Sequence, residues 1–251
     1  MKHIIRALVL GALVSGAAAA QGLFWESLTT EGGRNTEGGE LSRFYYMPGR
    51  FKAVQTDRGN AVIIRLDKEK MIMVDDGAKT YREMTFAELE RTMRGAGAQL
   101  DAALERMKGE MENMTEEQRK MMEGVLGRTP GGESPRVEVR KTGETRTISG
   151  YRCTRYVLLE GGEERSAVWV TGDVSGFSSL RKEMEQFGKR MAAIMPRGLE
   201  RAMQETMAGL EGFPIQTEMG GGRVMRVTKV EKRSTPLSEF EPPAGYRREK
   251  E

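Results

Sequence analysis

Twice along the 251-residue chain the spacing of apolar side chains switches from every second residue to every third or fourth, and back again. A strand alternates faces residue by residue, whereas a helix returns to one face after about 3.6 residues, so the switch dictates an order of strands, helix, strands, helix, strands. From Gln21 to Met84 the alternating runs are short: Leu23 to Leu28, Glu40 to Met47, Phe51 to Thr56, Ala61 to Leu66, Met71 to Val74 and Thr80 to Met84. Pro48-Gly49, Asp57-Arg58-Gly59-Asn60 and Asp76-Gly77 separate them with residues suited to tight reversals, which predicts an antiparallel meander.

From Phe86 to about Gly127 the residues Leu89, Met93, Leu100, Leu104, Met107, Met111, Met114 and Met121 recur at helical spacing, and Thr115-Glu116-Glu117-Gln118 reads as a capping box. Strands resume at Val137 to Thr142, Glu144 to Ser149, Tyr151 to Leu159 and Arg165 to Thr171. A second helical stripe follows, of Leu180, Met184, Phe187, Met191 and Ile194, interrupted at Pro196 and Gly198 and continued by Leu199, Met203, Met207 and Leu210. Strands around Ile215 to Met219 and Arg223 to Lys232 close the pattern. The expected fold class is α+β: a curved antiparallel half-barrel sheet of about ten strands, with two inserted amphipathic helical segments, at about 85–127 and 177–212, packed on one face.

Residues 1–20 read as a secretory signal peptide, with Lys2, His3 and Arg6 before the apolar run Ile4 to Gly16 and small residues Ala17 to Ala20 before an expected cleavage site. The apolar run is too short for a comfortable membrane span, no second candidate follows, and no cysteine near the cleavage site could carry a lipid. The expectation is one domain over 21–251, in the periplasm, not lipid-anchored and without stable membrane insertion. Losing Lys2 and Arg6 changes the charge balance from 40 basic and 37 acidic residues to 38 and 37, with the signs interspersed, so nucleic acid is not an expected partner.

Cleavage also removes His3, the chain's only histidine. Imidazole is the usual general base near neutral pH and the commonest metal ligand, so histidine triads and zinc hydrolase sites are excluded from the mature chain. Cys153 is the sole cysteine; it lies in an alternating strand, where a small buried hydrophobe is the ordinary role, and no internal disulfide can form. Asp75-Asp76 before Gly77 reads as a solvated turn rather than a carboxylate pair. Gly220 to Gly222 reads as a hairpin loop, since no phosphate-loop pattern accompanies it. No cofactor, metal site or enzymatic activity is expected.

The stretches FYYMPGRFKAV (44–54), MIMVDDGAKTYREMTF (71–86), TGETRTISGYRCTRY (142–156), VWVTGD (168–173) and FEPPAGYRRE (240–249) resemble the secreted bacterial family known as domain of unknown function 4412. More distantly, that family is similar to LolA/LolB-type lipoprotein carriers. The resemblance implies an antiparallel half-barrel wrapped around helices with an apolar cavity between, and carries over no lipid-binding residue. The residues independently suggest adaptable methionine-rich helices against a stiff, aromatic-rich sheet. The expected function is therefore binding of an apolar ligand such as a lipid or acyl chain, or of a lipid-modified protein, with Phe44, Tyr46, Ile64, Trp169, Met107, Met111 and Met191 as candidate lining. Alternatives are an envelope protein-interaction or stress-sensing module and a methionine-rich copper-handling protein, since thioethers are soft ligands and Met71 with Met73, and Met121 with Met122, form clusters, although packing is the expected role of the helical methionines.

Overall fold

The computed structural model describes residues 21–32, 38–111, 136–192 and 197–249. Six strands come first: β1 (Gly22–Thr30), β2 (Glu40–Met47), β3 (Arg50–Gln55), β4 (Asn60–Arg65), β5 (Lys70–Asp75) and β6 (Thr80–Thr85). Helix α1 (Phe86–Met111) precedes β7 (Val137–Ile148), β8 (Tyr151–Glu160) and β9 (Glu163–Thr171). Helices α2 (Phe177–Ala192) and α3 (Arg197–Gly209) then lead into β10 (Phe213–Glu218), β11 (Val224–Arg233) and the two-residue β12 (Arg247–Arg248). All twelve strands form one open sheet in the order β12-β6-β5-β4-β3-β2-β1-β11-β10-β9-β8-β7.

The two halves of the sheet join late in the chain, when β11 returns to pair antiparallel with β1 over nearly its whole length. Every pairing is antiparallel except that of β12 with β6. The turns behave as their residues dictate: Gly49 at φ 75° and Gly59 at φ 65° take the left-handed conformation that the reversals require.

The count of strands is twelve rather than about ten. The closing pair Arg247–Arg248 has no sequence signal of its own, because two charged residues show no alternation. Val137–Ile148 is one strand and not two. Its pairing jumps from Lys141↔Tyr156 to Thr145↔Thr154, so three residues of β7 face one of β8, and Gly143 at φ 81° takes up the excess without ending the strand.

The two helical insertions are held differently. Thr85 and Glu88 cap α1 reciprocally: the Glu88 N–H donates to the Thr85 hydroxyl at 3.1 Å, and the Thr85 N–H donates to the Glu88 carboxylate at 2.7 Å. Phe86 is buried, but from Arg91 to Gln99 every residue is exposed, including Met93 of the apolar stripe. Among the described residues, the expected packing of this insertion holds for its first turn and fails over Arg91–Gln99. Gly95 and Gly97 lie within this exposed stretch and add no apolar side chain to it. The Thr115 capping box lies outside the described residues.

Helix α2 does pack as its stripe predicts. Leu180 and Met184 join the apolar cluster of Leu23, Tyr46, Phe51 and Phe213, and Phe187 meets Phe86 with ring centroids 5.2 Å apart. Its far end is pinned by Arg190, which pairs with Glu69 at 2.6 Å and Glu90 at 3.2 Å. Arg181 donates to the carbonyls of Met207 and Leu210, satisfying acceptors at the end of α3 that have no partner within that helix. A Cβ at Gly209 would lie 2.5 Å from Val139, so only glycine lets α3 end this close to β7.

The opposite face of β2–β6 carries a second cluster: Met47, Ile63, Ile72 and Val74, sealed by Phe240 from the 3-10 turn Leu237–Phe240. Arg65 fastens this segment. It donates to both carboxylate oxygens of Asp67 (2.8 and 2.9 Å), to the Phe240 carbonyl at 3.2 Å, and to Glu241.

Candidate functional site

The register of β1–β6 assembles side chains that lie far apart in sequence. Pro48-Gly49 pairs Met47 with Arg50, hence Tyr46 with Phe51. Continuing across the sheet gives a row on one face: Leu23, Tyr46, Phe51, Ile64, Met71, Met84. Two residues along each strand lies a parallel row: Trp25, Phe44, Ala53, Val62, Met73, Arg82. A third row is polar throughout: Ser27, Ser42, Gln55, Asn60, Asp75, Thr80. With strands about 4.8 Å apart, each row runs about 24 Å.

Burial grades along these rows. Leu23 and Tyr46 are buried where α2 covers them, Phe51, Ile64, Met71 and Met84 are half-buried, and Val62 in the second row is 37% exposed. The second row starts in an aromatic wall, where Trp25 stacks on Phe44 at 4.9 Å and 10° and receives Phe213 edge-on at 5.6 Å. The geometry is an apolar strip bordered by α2 on one side and by polar side chains on the other. Strips of this kind bind by removing apolar surface from water and need no titratable group.

Of the residues singled out from the sequence, Phe44, Tyr46 and Ile64 share this face. Met191 is buried in the last full turn of α2. Met107 and Met111 fall within α1, and their side chains lie outside the described part of the structure. Trp169, on β9 and four strands from β2, belongs to the same apolar cluster as Leu23 and Tyr46, against which Trp25 and Phe51 pack; its indole N–H donates to Glu218 at 2.9 Å and the Arg146 guanidinium sits 4.2 Å from its ring centroid. Trp25, Phe51, Val62 and Met84 were not anticipated as part of the site, and Met71 with Met73 only as a candidate Cu(I) pair. Counting outward from the two-residue turn at Pro48-Gly49 would have placed Phe51 opposite Tyr46; the others depend on the β1–β2 pairing and on the later reversals.

The Tyr46 hydroxyl is buried without a hydrogen-bond partner; burial, then the nearby Glu183 carboxylate, raise its pKa far above the ordinary phenol value. That carboxylate accepts the Gly49 N–H at 2.9 Å, tying α2 to the β2–β3 turn. Two clefts lie elsewhere. One of about 760 Å³ is lined by Arg136, Val139, Leu159, Glu205 and Gly209, and one of about 560 Å³ by Arg146, Ile148, Gln216 and Arg226. Polar contacts within the protein occupy both: Arg136 pairs with Glu205, Arg146 with Glu218, and Arg226 donates to Gln216.

Cys153 is fully buried and its thiol pKa is pushed up by that burial, which suits packing and not nucleophilic chemistry. Asp75 accepts the Ala78 N–H at 2.9 Å, as a turn residue does. Among the described residues, no group of three or more His, Cys, Asp or Glu side chains could hold a metal ion. No described helix is long and apolar enough to cross a membrane.

The family described as domain of unknown function DUF4412 matches residues 110–246, more than half of the chain. The stretches at 142–156 and 168–173 fall inside the match, that at 240–249 straddles its end, and those at 44–54 and 71–86 precede it. No curated protein matches. Among solved structures, an uncharacterized conserved protein from Thermus thermophilus is 7% identical with a TM-score of 0.44, covering 91% of this chain and 90% of that one. PNGF-II is 10% identical with a TM-score of 0.40, covering 92% of this chain and 31% of that one. The Pseudomonas aeruginosa MucA/MucB complex is matched at 6% identity with a TM-score of 0.38; 90% of this chain spans 57% of that chain.

Proposed function

The chain belongs to the DUF4412 family, and we propose that it is a non-enzymatic envelope protein that holds an apolar ligand, an acyl chain or lipid, along the strip beside α2. The strip lies on β1–β6, before the matched residues, so the proposal rests on its geometry and not on the family. One observation carries it: the row Trp25, Phe44, Ala53, Val62, Met73 stays partly open although the reverse face of the same strands is sealed by Phe240. Contiguous exposed apolar surface is uncommon on a soluble protein without a partner for it. Each methylene that such a surface removes from water contributes about 0.8 kcal/mol, so a long acyl chain can be held without a single polar anchor.

The signal-like order of residues 1–20 supports a periplasmic setting for this activity, and osmotic-shock fractionation of cells producing the full chain should recover a protein starting at Gln21. The binding test is native mass spectrometry and solvent extraction of that protein, purified without detergent. A co-purifying apolar mass is expected, and Val62→Glu should abolish it. Val62 is exposed enough that this substitution should change stability by no more than about 0.5 kcal/mol. An empty wild-type protein, or ligand retained by the well-folded Val62→Glu variant, would reject the proposal.

A further inference from the structure

We propose that Met71, Met73 and Met84 form a thioether site for a soft monovalent metal ion, Cu(I), at the far end of the strip. Met71 and Met84 are directly opposed on β5 and β6, and Met73 shares their face two residues along. Cross-strand neighbours have Cβ atoms about 4.5–5.5 Å apart and diagonal ones about 7–8 Å, within the span that unbranched side chains with three rotatable bonds can close onto one ion. All three are half-buried.

The placement of these methionines argues for more than packing. In the helices, methionine stands where leucine would serve equally well. In strands the residues that pack best are β-branched and aromatic, and the neighbouring strip uses them: Val62, Ile64, Phe44 and Phe51. Three thioethers on adjacent positions of two paired strands depart from that usage. Arg82, which faces Met73 in the register, is engaged by Glu249 at 3.3 Å, so its charge is partly neutralised. The contacts of Phe187 with Phe86 and of Arg190 with Glu69 and Glu90 bring the end of α2, and with it the buried Met191, to the same end of the strip. The chain's only thiol, Cys153, is fully buried on β8.

Chemistry separates this site from any built on histidine, thiolate or carboxylate. Those ligands must lose a proton before they bind, so their metal affinity falls with pH; a thioether has no proton to lose. Neutral sulfur ligands also favour Cu(I) over Cu(II). The site needs no co-reactant and turns nothing over.

The test is anaerobic titration of the full chain with Cu(I) against a colorimetric Cu(I) chelator at pH 7 and pH 5. One bound equivalent is expected, with equal affinity at both values. The double variant Met71→Leu/Met84→Leu keeps volume and apolarity and should weaken binding by about tenfold or more. Met225→Leu, on β11, should leave it unchanged. Circular dichroism melting confirms that each variant is folded. No stoichiometric binding by the wild-type chain, full binding by the folded double variant, or a tenfold loss at pH 5 would each overturn the assignment. Because leucine preserves the apolar strip, the double variant should still co-purify with apolar ligand, so failure of the metal site and failure of the lipid proposal are told apart.

Discussion

Replacing Phe240 by alanine tests whether the C-terminal segment is an integral layer of the fold. Phe240 is 0% exposed and packs on Met47, Ile63, Ile72 and Val74, on the face of β2–β5 turned away from the strip. Truncating a buried phenylalanine to alanine costs about 3–5 kcal/mol, the lost transfer energy plus the cavity that partial relaxation leaves behind. Taking about 4 kcal/mol, and about 2–4 °C per kcal/mol for a chain of this size, the melting temperature should fall by about 8–16 °C. Against a typical total of about 5–15 kcal/mol the loss is large enough to measure in either urea or heat. Urea unfolding followed through the fluorescence of Trp25 and Trp169 gives both the midpoint and the slope. Leu237, three residues earlier in the same turn and 57% exposed, is the internal control: alanine there should cost no more than about 0.5 kcal/mol. If Phe240→Ala costs less than about 1 kcal/mol, or if Leu237→Ala costs as much, the segment does not seal this face.

Two ionisable groups give further tests. Hydrogen bonds from Arg65 hold Asp67 below the ordinary carboxylate range, so its contribution is present above that range and is lost as pH falls through the lowered value. Urea midpoints should therefore drop as pH is taken below about 4, and Asp67→Asn should be less stable at pH 7 with a shallower fall; parallel curves would refute the assignment. Cys153, buried with a raised thiol pKa, should resist a thiol-reactive chromogen in the folded protein and react fully in denaturant; rapid labelling of the native protein would show that β8 opens readily.

Most of the sheet was legible because alternation and turn chemistry are local. Pro48-Gly49 and Asp57-Arg58-Gly59-Asn60 announce their reversals, and the strands beside them fall within a residue or so of the expected bounds. Gly143 misled because glycine both ends strands and accommodates bulges, and only the pairing partner decides between the two. The stripe of Leu180, Met184, Phe187 and Met191 located a docked helix, whereas the equally regular stripe of α1 leaves Met93 facing solvent. Periodicity states which face of a helix could dock, not whether an apolar surface lies within reach.

The strip was harder to read for a reason that bears on its function. Val62-Ile63-Ile64 is apolar on both faces, so composition could not say that Ile63 joins Ile72 beneath Phe240 while Val62 and Ile64 face the opposite way. A sheet layer with apolar side chains on both faces needs two covers. Among the described residues, Phe240, fastened by Arg65 and Asp67, covers one face, and α2 covers the other over Leu23 and Tyr46. In α1, Gly95 and Gly97 stand within the Arg91–Gln99 stretch, which faces water. Val62 keeps 37% of its surface exposed, and that is the opening the proposed apolar ligand would cover.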